Sequence, residues 1–115
     1  MLRKKDEMII ELRERMRDGI GEIQIRNLFQ KGDLKGKTRL FAEITIPVGG
    51  SIGYHQHEQE EEIFYLISGQ GRVKDGEEWK EMNMGDALVT GGGAGHAVEN
   101  TGNHPLVIMA VILVY

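Results

Sequence analysis

Apolar residues fall in short runs along most of this chain, separated by glycine-bearing segments, and alternation with a period of two marks a strand among them. Leu40 to Ile46 is the clearest case. Leu40, Ala42, Ile44 and Ile46 share one parity, and Phe41, Glu43 and Thr45 the other. Successive side chains of a strand point to opposite faces, so this alternation predicts a strand with one buried face. Ile63 to Ile67 is apolar on both parities, which predicts a strand covered on both faces. Val73 and Trp79 flank Asp75-Gly76, a dipeptide that accepts the positive φ of a tight hairpin. Gly85 to Thr90 reads as a further short strand, and Leu106 to Tyr115 as a long terminal one.

The N-terminal segment follows another rhythm. Ile9, Leu12 and Met16 fall at near-helical spacing among charged residues, so Met8 to Arg17 is expected to form a short amphipathic helix, although Met8 to Leu12 would also serve as a strand. No internal repeat and no low-complexity linker divides the chain. The expected fold class is therefore all-β, a barrel or sandwich with a short helix near its N-terminus. One domain is expected over residues 1–115, with 1–36 as an N-terminal extension and leading strand and 37–115 as the core of the fold.

Composition narrows the function classes. A chain of 115 residues is long enough to bury a core of its own. Its net charge of −4 offers no basic patch of the kind that neutralises phosphates, so no nucleic-acid partner is expected. Cysteine is absent, which excludes disulfides, iron–sulfur clusters and thiolate zinc sites and suits a reducing compartment. Met1 to Lys5 is basic, but Asp6 and Glu7 stand where a signal peptide needs an apolar stretch. Leu106 to Tyr115 is too short to cross a bilayer as a helix. These features make a cytoplasmic location, with no membrane partner, the expectation.

The histidines change the picture most. Gly49 is followed after five residues by His55, after one more by His57, after four by Glu62 and after six by Gly69. Further on, Gly85 is followed after ten residues by His96 and after three by Asn100. Residues two apart on a strand share a face, so His55 and His57 aim at one point. A polar turn over Glu58 to Glu61 would return the chain and set Glu62 beside them. His96, from a distant strand, would complete a set of three nitrogens and one oxygen. Such a set suits Mn²⁺, Fe²⁺, Ni²⁺, Zn²⁺ or Cu²⁺. Glu61 is the competing carboxylate; it would turn Ile63 and Tyr65 inward, whereas Glu62 turns Phe64 and Leu66 inward.

In order and spacing these residues resemble the two signature motifs of the cupin superfamily. Gly49, His55, His57, Glu62 and Gly69 match the first motif, and Gly85, Gly93, His96 and Asn100 the second; Gly91 stands where the family has a proline. The resemblance covers Leu40 to Tyr115. It implies a conical jelly-roll barrel, one divalent metal inside it on His55, His57, Glu62 and His96, and a homodimer formed by packing sheets and exchanging terminal strands. The full ligand set is similar to that of oxalate-decarboxylase-like cupins. This implies manganese first, with iron, nickel or zinc as alternatives, and a small carboxylate ligand such as oxalate. Those decarboxylases carry an arginine three residues before the first histidine, where this chain has Ile52. Arg39 and Arg72 are then the candidate carboxylate partners, with Glu58 or Glu60 as acids able to reach the mouth. A metal-dependent binding module for a small acid or sugar, without catalysis, and an Fe²⁺ dioxygenase are the competing expectations, and whether the chain is an enzyme stays open. His104, in Gly102-Asn103-His104-Pro105, reads as a solvated loop residue, Asn100 as a support for the turn after His96, and Tyr54 and Tyr65 as packing residues.

Overall fold

The computed structural model describes all residues, Met1 to Tyr115. The strands are β1 (Ile9–Glu14), β2 (Glu22–Asn27), β3 (Thr38–Ile46), β4 (Ser51–Gln56), β5 (Glu60–Ser68), β6 (Gln70–Asp75), β7 (Glu78–Asn83), β8 (Ala87–Gly91), β9 (Gly95–Asn100) and β10 (Leu106–Val114). They form two antiparallel sheets, a six-stranded one in the order β1-β2-β3-β10-β5-β8 and a four-stranded one in the order β4-β9-β6-β7. The barrel is thus a jelly roll of two facing sheets rather than one continuous ladder. No helix is long and apolar enough to cross a membrane.

Alternation builds the interior. Along β10 the residues Leu106, Ile108, Ala110 and Ile112 are buried, while Val107, Met109, Val111 and Leu113 point outward and are only half-buried. Its neighbours keep the same parity: Ile108 stands between Ile44 on β3 and Leu66 on β5, and Ala110 between Ala42 and Phe64. The opposite sheet answers with Ile52, Val73, Met82 and Val98, all within the same apolar cluster. Burial of this shared face is the main force holding the sheets together.

Two expectations are corrected by the fold, the N-terminal helix and the exact place of the hairpin turn. Met8 to Arg17 is not a helix: Ile9–Glu14 is a strand, paired antiparallel with β2 from Ile9↔Asn27 to Glu14↔Glu22. The β-branched pair Ile9-Ile10 favours a strand, and the ladder offered by β2 satisfies backbone groups at no cost in helix nucleation. Within the single chain Ile63 to Ile67 is covered on one face, and Tyr65 and Ile67 on the other are exposed, at 49% and 37%. The hairpin turn after β6 is Gly76-Glu77, because Asp75 still pairs with Glu78. Gly76 alone takes a positive φ there, 64°, the arrangement of a two-residue turn with glycine first.

Candidate metal centre

Both sheets converge on one point. His55 lies on β4 opposite His96 on β9, and a bulge between Ile52 and His55 re-aims the strand before it ends. His57 follows β4 directly, and its backbone is tied to the loop before β9 by His57 N–H to the Ala94 carbonyl (3.0 Å) and Gly93 N–H to the His57 carbonyl (2.9 Å). Glu62 comes from the other sheet, on β5, paired with Thr90 on β8 and Ile112 on β10. The turn before it is shorter than the sequence suggests, since β5 begins at Glu60 and only Glu58 and Gln59 lie outside the strand. Glu62 is buried, as are Phe64 and Leu66, whereas Glu61 sits half-exposed on the outer parity.

One ligand atom from each of His55, His57, Glu62 and His96 lies within 4.8 Å of all the others. Glu62 Oε1 is 3.0 Å from both His57 Nε2 and His96 Nε2, and His96 Nε2 is 3.1 Å from the Nε2 atoms of His55 and His57. The outer ring nitrogens are all engaged. His55 Nδ1–H donates to the Gly53 carbonyl (2.8 Å), His57 Nδ1–H donates to Glu60 Oε2 (2.6 Å), and His96 Nδ1 bonds the buried Thr90 hydroxyl (2.9 Å). A carbonyl only accepts, so in the neutral ring of His55 the lone pair sits on Nε2. Three ring nitrogens and a carboxylate oxygen crowded to about hydrogen-bond distance form a compact donor set whose chemistry fits a divalent metal.

Electrostatics follow from burial and partners. Burial above all lowers His55, to about 4, which leaves the ring neutral at neutral pH. His57 is raised, first by its hydrogen bond with Glu62 and then by Glu60. Burial pushes Glu62 upward, but hydrogen bonds from His57 and His96 outweigh it and hold the carboxyl below its ordinary value. Glu60 is held down at about 2, chiefly by Arg39, whose Nε and one terminal nitrogen donate to its two oxygens at 2.9 and 2.8 Å. Arg39, Glu60 and His57 thus form a chain that fixes the His57 ring from outside.

A cavity of about 80 Å³ opens over the cluster, with His55, His57 and Glu62 in its lining. Ile52 lines it too, and Glu11, Arg13, Arg17 and Arg39 stand around it. Arg39 therefore reaches the site but is spent on Glu60. Arg72 does not reach it: its guanidinium sits 4.4 Å from the Trp79 ring and bonds Glu99, on the four-stranded sheet. Tyr54 and Tyr65 are exposed, at 47% and 49%, rather than packed inside. Asn100 is buried and donates to the carbonyls of Ile46 and His104, while Gly102 N–H donates to its side-chain oxygen, so it does brace the turn. His104 is exposed. The sequence carries no signal for Glu11, Arg13 and Arg17, because the pairing of β1 with β2 and the bonds between Ile20 and Ser51 bring that segment to the mouth. For Glu60 a signal existed, its position three residues after His57, but the neighbouring glutamates obscured it.

Comparison with known proteins agrees with this architecture. The Cupin domain family matches residues 42–112. The chain belongs to the cupin family. This cupin is 38% identical over 113 residues to the oxalate-binding protein of Thermotoga maritima, covering 98% of this chain and 93% of that one. A crystal structure of a predicted oxalate decarboxylase from Thermotoga maritima superposes with a TM-score of 0.95 at 37% identity, covering 100% of both chains. A polyketide cyclase from Streptomyces resistomycificus shares the fold alone, at 18% identity and a TM-score of 0.77, covering 99% of this cupin and 80% of that chain.

Proposed function

We propose that this cupin binds a small dicarboxylate of the oxalate type at a divalent metal, manganese first, held by His55, His57, Glu62 and His96. The observation that carries the reading is the cavity of about 80 Å³ above the ligand cluster. Sites for drug-sized ligands occupy roughly 300–1,000 Å³, so only a ligand of a few heavy atoms fits, which favours a short acid over a sugar. The relative named for oxalate binding supports the same class. The metal would supply a Lewis acid that chelates and polarises the acid. The protein's own part is to bind and exclude water: Ile52, Leu40 and Ile112 make the walls apolar, and the Arg39–Glu60–His57 chain keeps one ring in place.

Binding without turnover is favoured by Ile52. It sits in the cavity wall as a side chain that can neither hold a carboxylate nor move a proton. Calorimetric titration of Mn²⁺-loaded protein with oxalate should give saturable binding at one site per chain, with no formate formed under air. Catalytic formate would make the protein a decarboxylase despite Ile52. Oxygen uptake by Fe²⁺-loaded protein would point to a dioxygenase instead, and absence of oxalate binding to metal-loaded protein would end the reading.

The partner we propose for the outer face of the six-stranded sheet is a second copy of the chain. Tyr65, Ile67 and Val89 are exposed there beside half-buried Val107, Met109 and Val111, an apolar surface that a two-fold pairing would cover. Sedimentation equilibrium should return twice the chain mass of 12.9 kDa, and Met109→Lys should return it once. A monomeric wild-type protein at micromolar concentration would refute this pairing.

A further inference from the structure

We infer that Arg17 sets the charge specificity of the cavity, holding the carboxylate edge of the bound acid that faces away from the metal. The inference rests on the small-carboxylate reading above and adds the group that selects for a dianion. Three arginines stand around the cavity, and two are neutralised within the protein. Arg39 is forked onto Glu60, and Arg13 donates to Glu11 Oε2 at 2.9 Å. Arg17 has no carboxylate partner and no side-chain hydrogen bond. With the other pairs cancelled, it is the positive charge left to face an incoming anion. Arginine is suited to that task because its planar fork matches a carboxylate.

The position of Arg17 is built, not incidental. Arg15, Arg17 and Asp18 have φ of 48°, 54° and 63°, a left-handed conformation uncommon for residues other than glycine. The segment is held in it by Asp18 N–H to the Arg15 carbonyl (3.0 Å) and Gly19 N–H to the Met16 carbonyl (3.0 Å). The paired bonds between Ile20 and Ser51, at 3.2 and 2.8 Å, fasten it to β4. Gly53 completes the seat, because a methyl group there would overlap the Arg17 carbonyl. The carbonyl of that same glycine accepts the His55 Nδ1–H. One residue of β4 therefore registers both a cluster histidine and the backbone from which the free arginine projects.

The test is calorimetric titration of Mn²⁺-loaded protein with oxalate and with glycolate, which keeps one carboxylate and replaces the other with a hydroxyl. Asparagine tolerates the left-handed region, so Arg17→Asn removes the guanidinium while keeping the backbone. Arg17→Asn should weaken oxalate at least about tenfold, the scale of a lost hydrogen bond to a charged group, and weaken glycolate less, with Mn²⁺ affinity unchanged. Arg17→Lys should recover part of the oxalate affinity. Oxalate bound equally well by Arg17→Asn and wild type would overturn the assignment and leave the small-carboxylate reading standing. A parallel loss of Mn²⁺ affinity would overturn it as well, by showing a merely structural role. Failure of the metal-loaded wild type to bind oxalate would overturn both.

Discussion

Replacing His57 with alanine is expected to abolish stoichiometric metal retention, the largest single effect on this site. His57 is 2% exposed, and its ring meets Glu62 Oε1 at 3.0 Å, His96 Nε2 at 3.1 Å and Glu60 Oε2 at 2.6 Å. Alanine removes one of four donors and leaves Glu62, itself 4% exposed, with a single imidazole partner in place of two. Glu60→Gln supplies the graded comparison. Glu60 is ionised across the whole working pH range because Arg39 holds it at about 2, so glutamine deletes a permanent charge behind the ring without touching the donor set. Loss of such an outer partner costs roughly 10–100-fold in metal affinity, and loss of a donor should exceed that. Metal content after dialysis, measured by elemental analysis, and competition with a chelator read both variants on one scale. Wild-type occupancy in His57→Ala would show that the cluster does not hold the ion.

Phe64→Ala is expected to destabilise the fold by about 3–5 kcal/mol, the range for truncating a buried aromatic side chain. Phe64 is 2% exposed, lies on β5 two residues after Glu62, and stacks on the His96 ring with centroids 4.7 Å apart and planes 16° from parallel. Its deletion opens a void between the two sheets and frees the His96 ring, so metal affinity should fall in the same variant. Urea denaturation of the metal-free protein separates the effects, since metal linkage is then absent. A loss below about 1 kcal/mol would show that the core closes over the gap, contrary to the close packing of protein interiors.

Local pattern carried much of this molecule. The parity of Leu40 to Ile46 recurs as the buried face of β3, and Leu106 to Tyr115 recurs as β10, because burial on one side of a sheet imposes a period of two. His55, His57, Glu62 and His96 were legible as a cluster because motif spacing reflects strand and turn lengths. Glu62 could be preferred over Glu61 because parity decides which carboxylate shares a face with Phe64. The hairpin was placed, but one residue early, since glycine's freedom says where a turn is possible and the ladder says where pairing stops.

Short-range alternation and spacing alone set the all-β class, the inward faces of β3 and β5 and the residues gathered at the centre of the barrel. Tertiary structure decided the rest. Ile9–Glu14 became a strand because β2 lay beside it, an option a single segment cannot reveal. Within a single chain only the Phe64 face of Ile63 to Ile67 is covered, because what lies against the other face is not encoded in the segment itself. Arg17 reached the cavity because its segment is tied to Ser51 on β4, whereas Arg72 stands on the outer parity of β6 beside Trp79, and such proximity between residues distant in sequence is created only by the closed fold.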